Sequence, residues 1–363
     1  MNADKELKKD GIVVLEPLDD SSVIYIAQNV SKKIYATFPN FEFTYNYLFD
    51  TLSKVKLYIA DIPEGLSEAS YFYKNSSIYF RTGMGIKDIE KYSIHEYIHH
   101  LQERKDSKGH LIRMGLCEFS GSKITGMALN EAAVQMLTSN ILDQAFDTVE
   151  YYGITFPTIS QEIYPLICNL VAQMAYIAGE DVLFESTLDS NDHFKNKFIA
   201  LCGKEKYLKI TTNLDKILHA EEKLIILSNT LQSTDMQEKK KQRCLKKIDS
   251  LKKQIGTLYF ETQSLMFTSF SEAMYINLMS LSDIDNFRRL LYNYQDLIGI
   301  SSDNKSFHEF YVSMMEKLDE RAELLTGNTY LIPLTENKLT KIIRAIKNFI
   351  FLRNAESDIK KES

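Results

Sequence analysis

The stretch Ser93-Ile-His-Glu-Tyr-Ile-His-His100 decides how the rest of this chain is read. It contains H-E-x-x-H, and on a helix residues four apart lie one turn apart on the same face, so His95 and His99 can grip one ion between them. Neutral imidazole is a good ligand for Zn²⁺, and the spacing leaves Glu96 beside the ion, where a carboxylate can take a proton from water. Ile94, Ile98 and Leu101 form an apolar stripe next to the histidine line. That stripe anchors the helix in a core while the imidazoles look out from its edge. His100 points about 100° further round and is expected to support the site or lie on the surface. With 7 His in 363 residues, a chance match has odds on the order of one in a hundred, so the neighbouring sequence has to carry part of the case.

Upstream, Ser21 to Ala36 has an amphipathic helical pattern that Phe43 to Leu52 continues after Pro39. Val55-Lys-Leu-Tyr-Ile59 alternates like a half-buried strand, and Ser70 to Arg81 reads as two aromatic strands joined at Lys74-Asn-Ser-Ser77. A peptidase built on H-E-x-x-H needs an edge strand before the histidine helix to hold an extended substrate, and Ile78-Tyr-Phe-Arg81 stands in that place. The histidine helix itself is expected from an N-cap at Asp88 to about Arg104. A strand follows between His110 and Phe119, with a loop over Gly121 to Thr125, a helix from Met127 to about Ala145 and another from Ser160 to Gly179.

The run Gly126 to Gln135 that opens the Met127 helix carries a single acid, Glu131, surrounded by Leu129, Ala132, Ala133, Met136 and Leu137. A buried, unpaired carboxylate is costly, whereas one bound to a cation is satisfied, so Glu131 is the expected third ligand. Small Ala132 and Ala133 let this helix approach the histidine helix closely. The metal set is then His95, His99 and Glu131 around Zn²⁺, with a fourth position left for water.

His95-Glu-Tyr-Ile-His99, followed some thirty residues later by Asn130-Glu-Ala132, resembles the gluzincin metallopeptidases, whose third zinc ligand is a Glu on the helix after H-E-x-x-H. The resemblance spans roughly residues 50 to 200 and extends to a Tyr-led helix ending in Gly-Glu, here Tyr164 to Gly179-Glu180. It implies Glu96 as general base and Tyr164 as the residue that stabilises the oxyanion, with Tyr152 and His193 as alternatives for that second role. In the thermolysin-like pattern an acid four residues after the ligand Glu orients the first histidine, and this chain has Gln135 there.

The expected fold is α+β and mostly α: a zincin-like domain over residues 1–204, holding a small mixed sheet and the two site helices, then an all-α domain over 205–363. From about residue 205 nearly every segment has a helical pattern. Cys244, Ile248, Leu251, Ile255, Leu258 and Leu265 form a seam of period near 3.5, interrupted by Thr262, which reads as a helical hairpin or short coiled coil. The basic run Lys239 to Lys247 reads as the solvated outer face of that hairpin, and Ile342, Ile343, Ile346, Phe349 and Ile350 as a packed C-terminal helix.

A net charge of −6 gives no general attraction to nucleic acid or anionic membrane. No apolar run is long enough for a membrane span or a signal segment, so a cytoplasmic protein is expected. The 4 Cys are scattered without close pairs and are expected to be reduced core residues. No P-loop, G-x-G-x-x-G after a strand or G-x-S-x-G occurs, which removes nucleotide-binding and serine-hydrolase readings. Three functions are left: a zinc metallopeptidase acting on peptide or protein substrates, a regulatory protein whose peptidase-like domain acts on one partner held by the C-terminal helices, and a helical scaffold with a structural metal.

Overall fold

In the computed structural model, which describes residues 7–39, 41, 43–63, 66–120, 123–232, 237–299 and 305–326, the chain opens with strand β1 (Val13–Pro17) and two helices, α1 (Asp20–Thr37) and α2 (Tyr45–Leu52). Asp19 caps α1 by accepting from the Ser22 N–H, and Thr44 caps α2 from the Tyr47 N–H. Strands β2 (Lys56–Asp61), β3 (Ala69–Phe72) and β4 (Ser77–Arg81) complete a four-stranded sheet in the order β1-β2-β4-β3. Only the β2–β4 pair is parallel.

The sheet corrects one expectation. Ile78–Arg81 is interior, with Ser77 to Phe80 buried, and the edge is β3. A strand apolar on both faces belongs inside a sheet, and Ile78-Tyr-Phe80 is such a run. The hairpin through residues 73–76 therefore leaves β3 outside, next to helix α3 (Ile86–Leu101). That helix starts at Gly85, not at Asp88, which sits in the first turn where its charge complements the helix dipole.

After α3 comes an antiparallel meander, β5 (Glu103–Lys105), β6 (Leu111–Met114), β7 (Cys117–Ser120) and β8 (Lys123–Thr125). The single strand expected over His110 to Phe119 is thus two, split at Gly115-Leu116, and the segment read as a loop contains β8. Gly115 has φ +58°, and a Cβ there would fall 2.1 Å from Asn130 Oδ1, so only glycine makes this turn.

Helix α4 (Met127–Ile141) stops short of Ala145, and a hairpin the sequence reading did not find, β9 (Asp147–Tyr151) with β10 (Ile154–Thr158), follows. Helix α5 (Pro165–Ala178) begins at proline, which fits the first helical position because its missing N–H is unneeded there. Helices α6 (Glu180–Asp189), α7 (His193–Cys202), α8 (Lys204–Gln232), α9 (Glu238–Tyr275), α10 (Leu281–Ile298) and α11 (Lys305–Thr326) complete the described chain.

As the seam predicted, α8 and α9 pack as a long antiparallel hairpin, with Cys244, Ile248, Ile255 and Leu258 buried along it. Thr262 sits in the seam without penalty because it donates to Leu258 O and accepts from Asn213 Nδ2 at 3.1 Å. The run Lys239–Arg243 is exposed. One hydrophobic cluster reaches from Ile26 and Phe80 through α4 and α5 to Leu291 and Phe307, so the helical half packs directly on the half that carries the histidines. All four cysteines are buried and unpaired. Among the described residues no single helix is long and apolar enough to cross a membrane. The expected helix at 342–350 lies outside the described residues.

Candidate metal centre

Helix α3 buries Ile89, Ile94, Tyr97 and Ile98, which leaves His95 and His99 on the adjoining face. Helix α4 is buried on nearly every side, and its fully buried Ala128, Ala132 and Ala133 keep it thin where it packs on its neighbours. The partly exposed Glu131 then reaches the two histidines. His95 Nε2 lies 3.0 Å from His99 Nε2, and each is 3.5 Å from a Glu131 oxygen. Metal–ligand bonds of about 2.0–2.1 Å at tetrahedral angles put ligand atoms about 3.3 Å apart, so this triangle has the edge lengths of a tetrahedral site. All three sequence-predicted ligands converge, as the three-residue group whose ligand atoms lie within 4.8 Å of one another.

The outward nitrogens confirm the fit. His95 Nδ1 is 3.1 Å from Gln135 Oε1, and His99 Nδ1 is 3.3 Å from Gln102 Oε1. The orientation of Gln102 is set by the backbone, since its Nε2 donates to Thr187 O at 2.9 Å and an amide nitrogen cannot accept. The two Nε2 atoms face each other across 3.0 Å with Glu131 beside both, so the group is arranged to share a cation, a proton or a metal ion. Gln135 orients His95 with a neutral amide oxygen.

Electrostatics agree with the geometry. Burial opposes charge on His99, but the Glu131 carboxylate outweighs it and raises His99 to about 9. Burial likewise opposes charge on Glu131, while the two imidazoles hold its carboxyl well below the usual range. A pocket that holds a proton this firmly presents a net attraction for any cation, and a metal competes for the same lone pairs.

Around this triangle lies a cleft of about 210 Å³ lined by Ser70, Tyr71, Glu96, His95, His99, Glu131 and Tyr164. Glu96 is buried, and its Oε2 accepts the Tyr71 backbone N–H at 2.7 Å. Glu68 O bonds to Arg81 N on the inner side of β3, so by strand alternation residues 69 and 71 turn their backbone groups outward to the cleft. The Tyr71 hydroxyl donates to Glu103 Oε1 at 2.8 Å and lies 2.9 Å from His100 Nδ1. His100 thus ties the edge strand to the helix, the supporting role its position suggested.

Tyr164 lines the same cleft from the start of α5 in a left-handed conformation, φ 50° and ψ 40°. Burial, then the charges of Glu131 and Glu96, push its phenol far above the usual range. The two alternatives for its role lie elsewhere: Tyr152 bonds to Tyr151, and exposed His193 pairs with Glu185. Sequence reasoning missed Gln102, Gly115 and the Tyr71 N–H. Only the four-residue spacing of Glu131 and Gln135 gave any signal for the orienting shell. No family model matches this chain, and neither does any curated protein or solved structure.

Proposed function

We propose that this protein is a zinc-dependent peptidase of the zincin type. The carrying observation is that two imidazoles, each with its Nδ1 facing a glutamine oxygen, and one carboxylate converge at tetrahedral spacing beside a buried second carboxylate, Glu96. His95, His99 and Glu131 hold the metal, which supplies the Lewis acidity that polarises a scissile carbonyl and lowers the pKa of water. Two neutral nitrogens and one carboxylate suit zinc better than calcium or magnesium, which take oxygen ligands.

The chain's own groups do the rest. Glu96 takes a proton from the attacking water and delivers it to the leaving nitrogen; the Tyr71 N–H holds the carboxylate in place for both transfers. The outward backbone groups of Ala69 and the carbonyl of Tyr71, a residue whose N–H is taken by Glu96, supply an edge on which an extended peptide pairs, as main-chain recognition by sheet edges requires. Tyr164, kept protonated by its surroundings, donates its hydroxyl to charge developing on the carbonyl oxygen.

Zinc content and peptide hydrolysis measured together test this reading. The wild type is expected to hold one zinc and cleave peptides, and Glu96→Gln to keep the zinc while losing about two to four decades of kcat. Zinc retained at full stoichiometry with no cleavage of a broad peptide library by the wild type would reject the enzymatic reading and leave a structural metal.

A further inference from the structure

The α8–α9 hairpin is not uniform along its length. At its base Lys206 pairs with Glu272 and Lys209 with Glu261. Toward its tip, α9 carries eight cations and a single acid, Asp249, between Lys239 and Lys253, all of them exposed. The facing turns of α8, Lys223 to Gln232, add one cation and no acid. Among the described residues no carboxylate lies within ion-pair distance of these cations, in contrast to the base. Aliphatic side chains stand out between them: Ile226 is 62% exposed, Leu245 44% and Ile225 39%. Cys244 Sγ lies 3.5 Å from Leu227 O, which sets the two helices side by side at this level. Leu224 and Cys244 are buried in the seam, so Ile225 and Leu245, each one residue further on, turn about 100° to the same flank of the antiparallel pair. Lys241 and Lys252, four before and seven after Leu245, share that flank.

We infer that this end of the hairpin is a docking surface for a lipid bilayer with anionic headgroups. Charge complementarity gives the sign of the partner, and the side-chain types give its class. Seven of the eight cations are Lys, and no aromatic residue or His occurs from 223 to 253. Nucleic-acid surfaces draw on Arg and on aromatic rings that stack with bases. Protein interfaces are enriched in Arg, Met and aromatic residues and depleted in Lys. A headgroup layer needs neither pattern: ammonium groups on long stems reach its phosphates, and aliphatic side chains beside them enter the acyl boundary. Here α9 is exposed on every side but its seam, a tip that presses into a deformable layer and offers no groove to a rigid partner. The chain's net charge of −6 does not oppose this, because surface charges act over a screening length of roughly 10 Å.

The test floats the full-length protein with vesicles of phosphatidylcholine, pure or mixed with about one third phosphatidylserine. Binding is expected to the mixed vesicles alone, and is expected to be lost at about 1 M salt, where the screening length falls to about 3 Å. Lys240→Glu, Lys246→Glu and Lys247→Glu together should weaken it by about a hundredfold. The same reversal at exposed Lys54, Lys56 and Lys108 changes the net charge equally and should leave binding intact. Ile226→Ser with Leu245→Ser alters no charge and should weaken binding by about tenfold. Every substituted side chain is exposed, and melting temperatures equal to wild type check that each variant folds. Absence of binding to the mixed vesicles, or binding that survives the hairpin reversals, overturns the inference. A serine variant that binds as wild type does marks a general polyanion site, which capture of a single-stranded oligonucleotide would identify, and overturns it too. None of these readouts involves the metal centre, so this surface stands or falls apart from the proposed activity.

Discussion

Two buried polar networks lie in this molecule, and they end differently. In the first, Asn169 donates to Pro157 O and Leu297 O and accepts from Tyr259 and Gln173, which in turn accepts from Tyr294, while Gln263 donates to Tyr259. These bonds close on one another and staple α5 to α9, α10 and the β10 segment. In the second, Leu116 N–H donates to Asn130, Asn130 to Gln102, and the chain of bonds runs out through His99 to a nitrogen facing another nitrogen and a carboxylate. A network that closes is glue. One that ends on two imidazole nitrogens and a carboxylate within ligand distance of one another is a candidate metal site.

The comparison is broken most directly at Glu131. Its replacement by alanine removes one ligand's share of the roughly 10–16 kcal/mol of a structural zinc site, so zinc affinity is expected to fall by about two to three decades. Competition with a chromogenic chelator measures this. A Kd unchanged from wild type would show that Glu131 is no ligand. Next in size, Asn169→Ala should leave zinc affinity untouched but cost about 3 kcal/mol of stability, because Pro157 O, Leu297 O and the Tyr259 hydroxyl lose a partner in the interior. Denaturant melts at saturating zinc separate that loss from any metal effect.

The two networks were not equally legible. His95, Glu96, His99 and Glu131 could be read from spacing because ligand chemistry admits few residue types and a helix fixes their direction. Helix positions were readable from periodicity, and the hairpin of α8 and α9 from its seam. The closed network was invisible: Asn169 and Gln173 sit in a run whose other residues are apolar, and their partners Tyr259 and Tyr294 lie 90 and 121 positions along the chain. Strand order was legible only in part: Ile78-Tyr-Phe80, apolar on both faces, points to an interior place, but its parallel pairing with β2 has no local signal. The β9–β10 hairpin went unread although Thr148, Glu150, Thr155 and Pro157 alternate with apolar residues.

A smaller effect comes from a buried acid that belongs to neither network. Glu221 on α8 has an unpartnered Oε1, and burial, helped by neighbouring Glu222, raises its carboxyl to about 8. Tyr151, Tyr152 and Cys168 lie close enough to feel its charge. The folded state therefore keeps a proton that the unfolded chain releases near pH 4.5. Unfolding releases that proton, so stability is full below about 4.5 and falls as pH climbs toward 8. Melting curves should show the wild type losing stability steadily between those limits relative to Glu221→Gln, which carries no titrating group there. Parallel pH profiles for the two proteins would mean that Glu221 is ionised in the fold.

The finest probe is Gln102, where the open network touches structure on one side and metal on the other. Its Oε1 orients His99, its Nε2 satisfies Thr187 O, and Gly115 is held to glycine partly because a Cβ would strike this amide at 2.5 Å. Gln102→Leu keeps the volume but frees the imidazole to turn and to carry its proton on the other nitrogen. Groups that orient ligands from behind are worth 10- to 100-fold in metal affinity, and a neutral amide acting on one of three ligands belongs at about the lower end. A tenfold weaker zinc Kd, with the melting temperature recovered by excess zinc, would place Gln102 with the site. A lower melting temperature that zinc cannot restore would place it with the glue, and the line between the two networks would then have to be drawn at His99 itself.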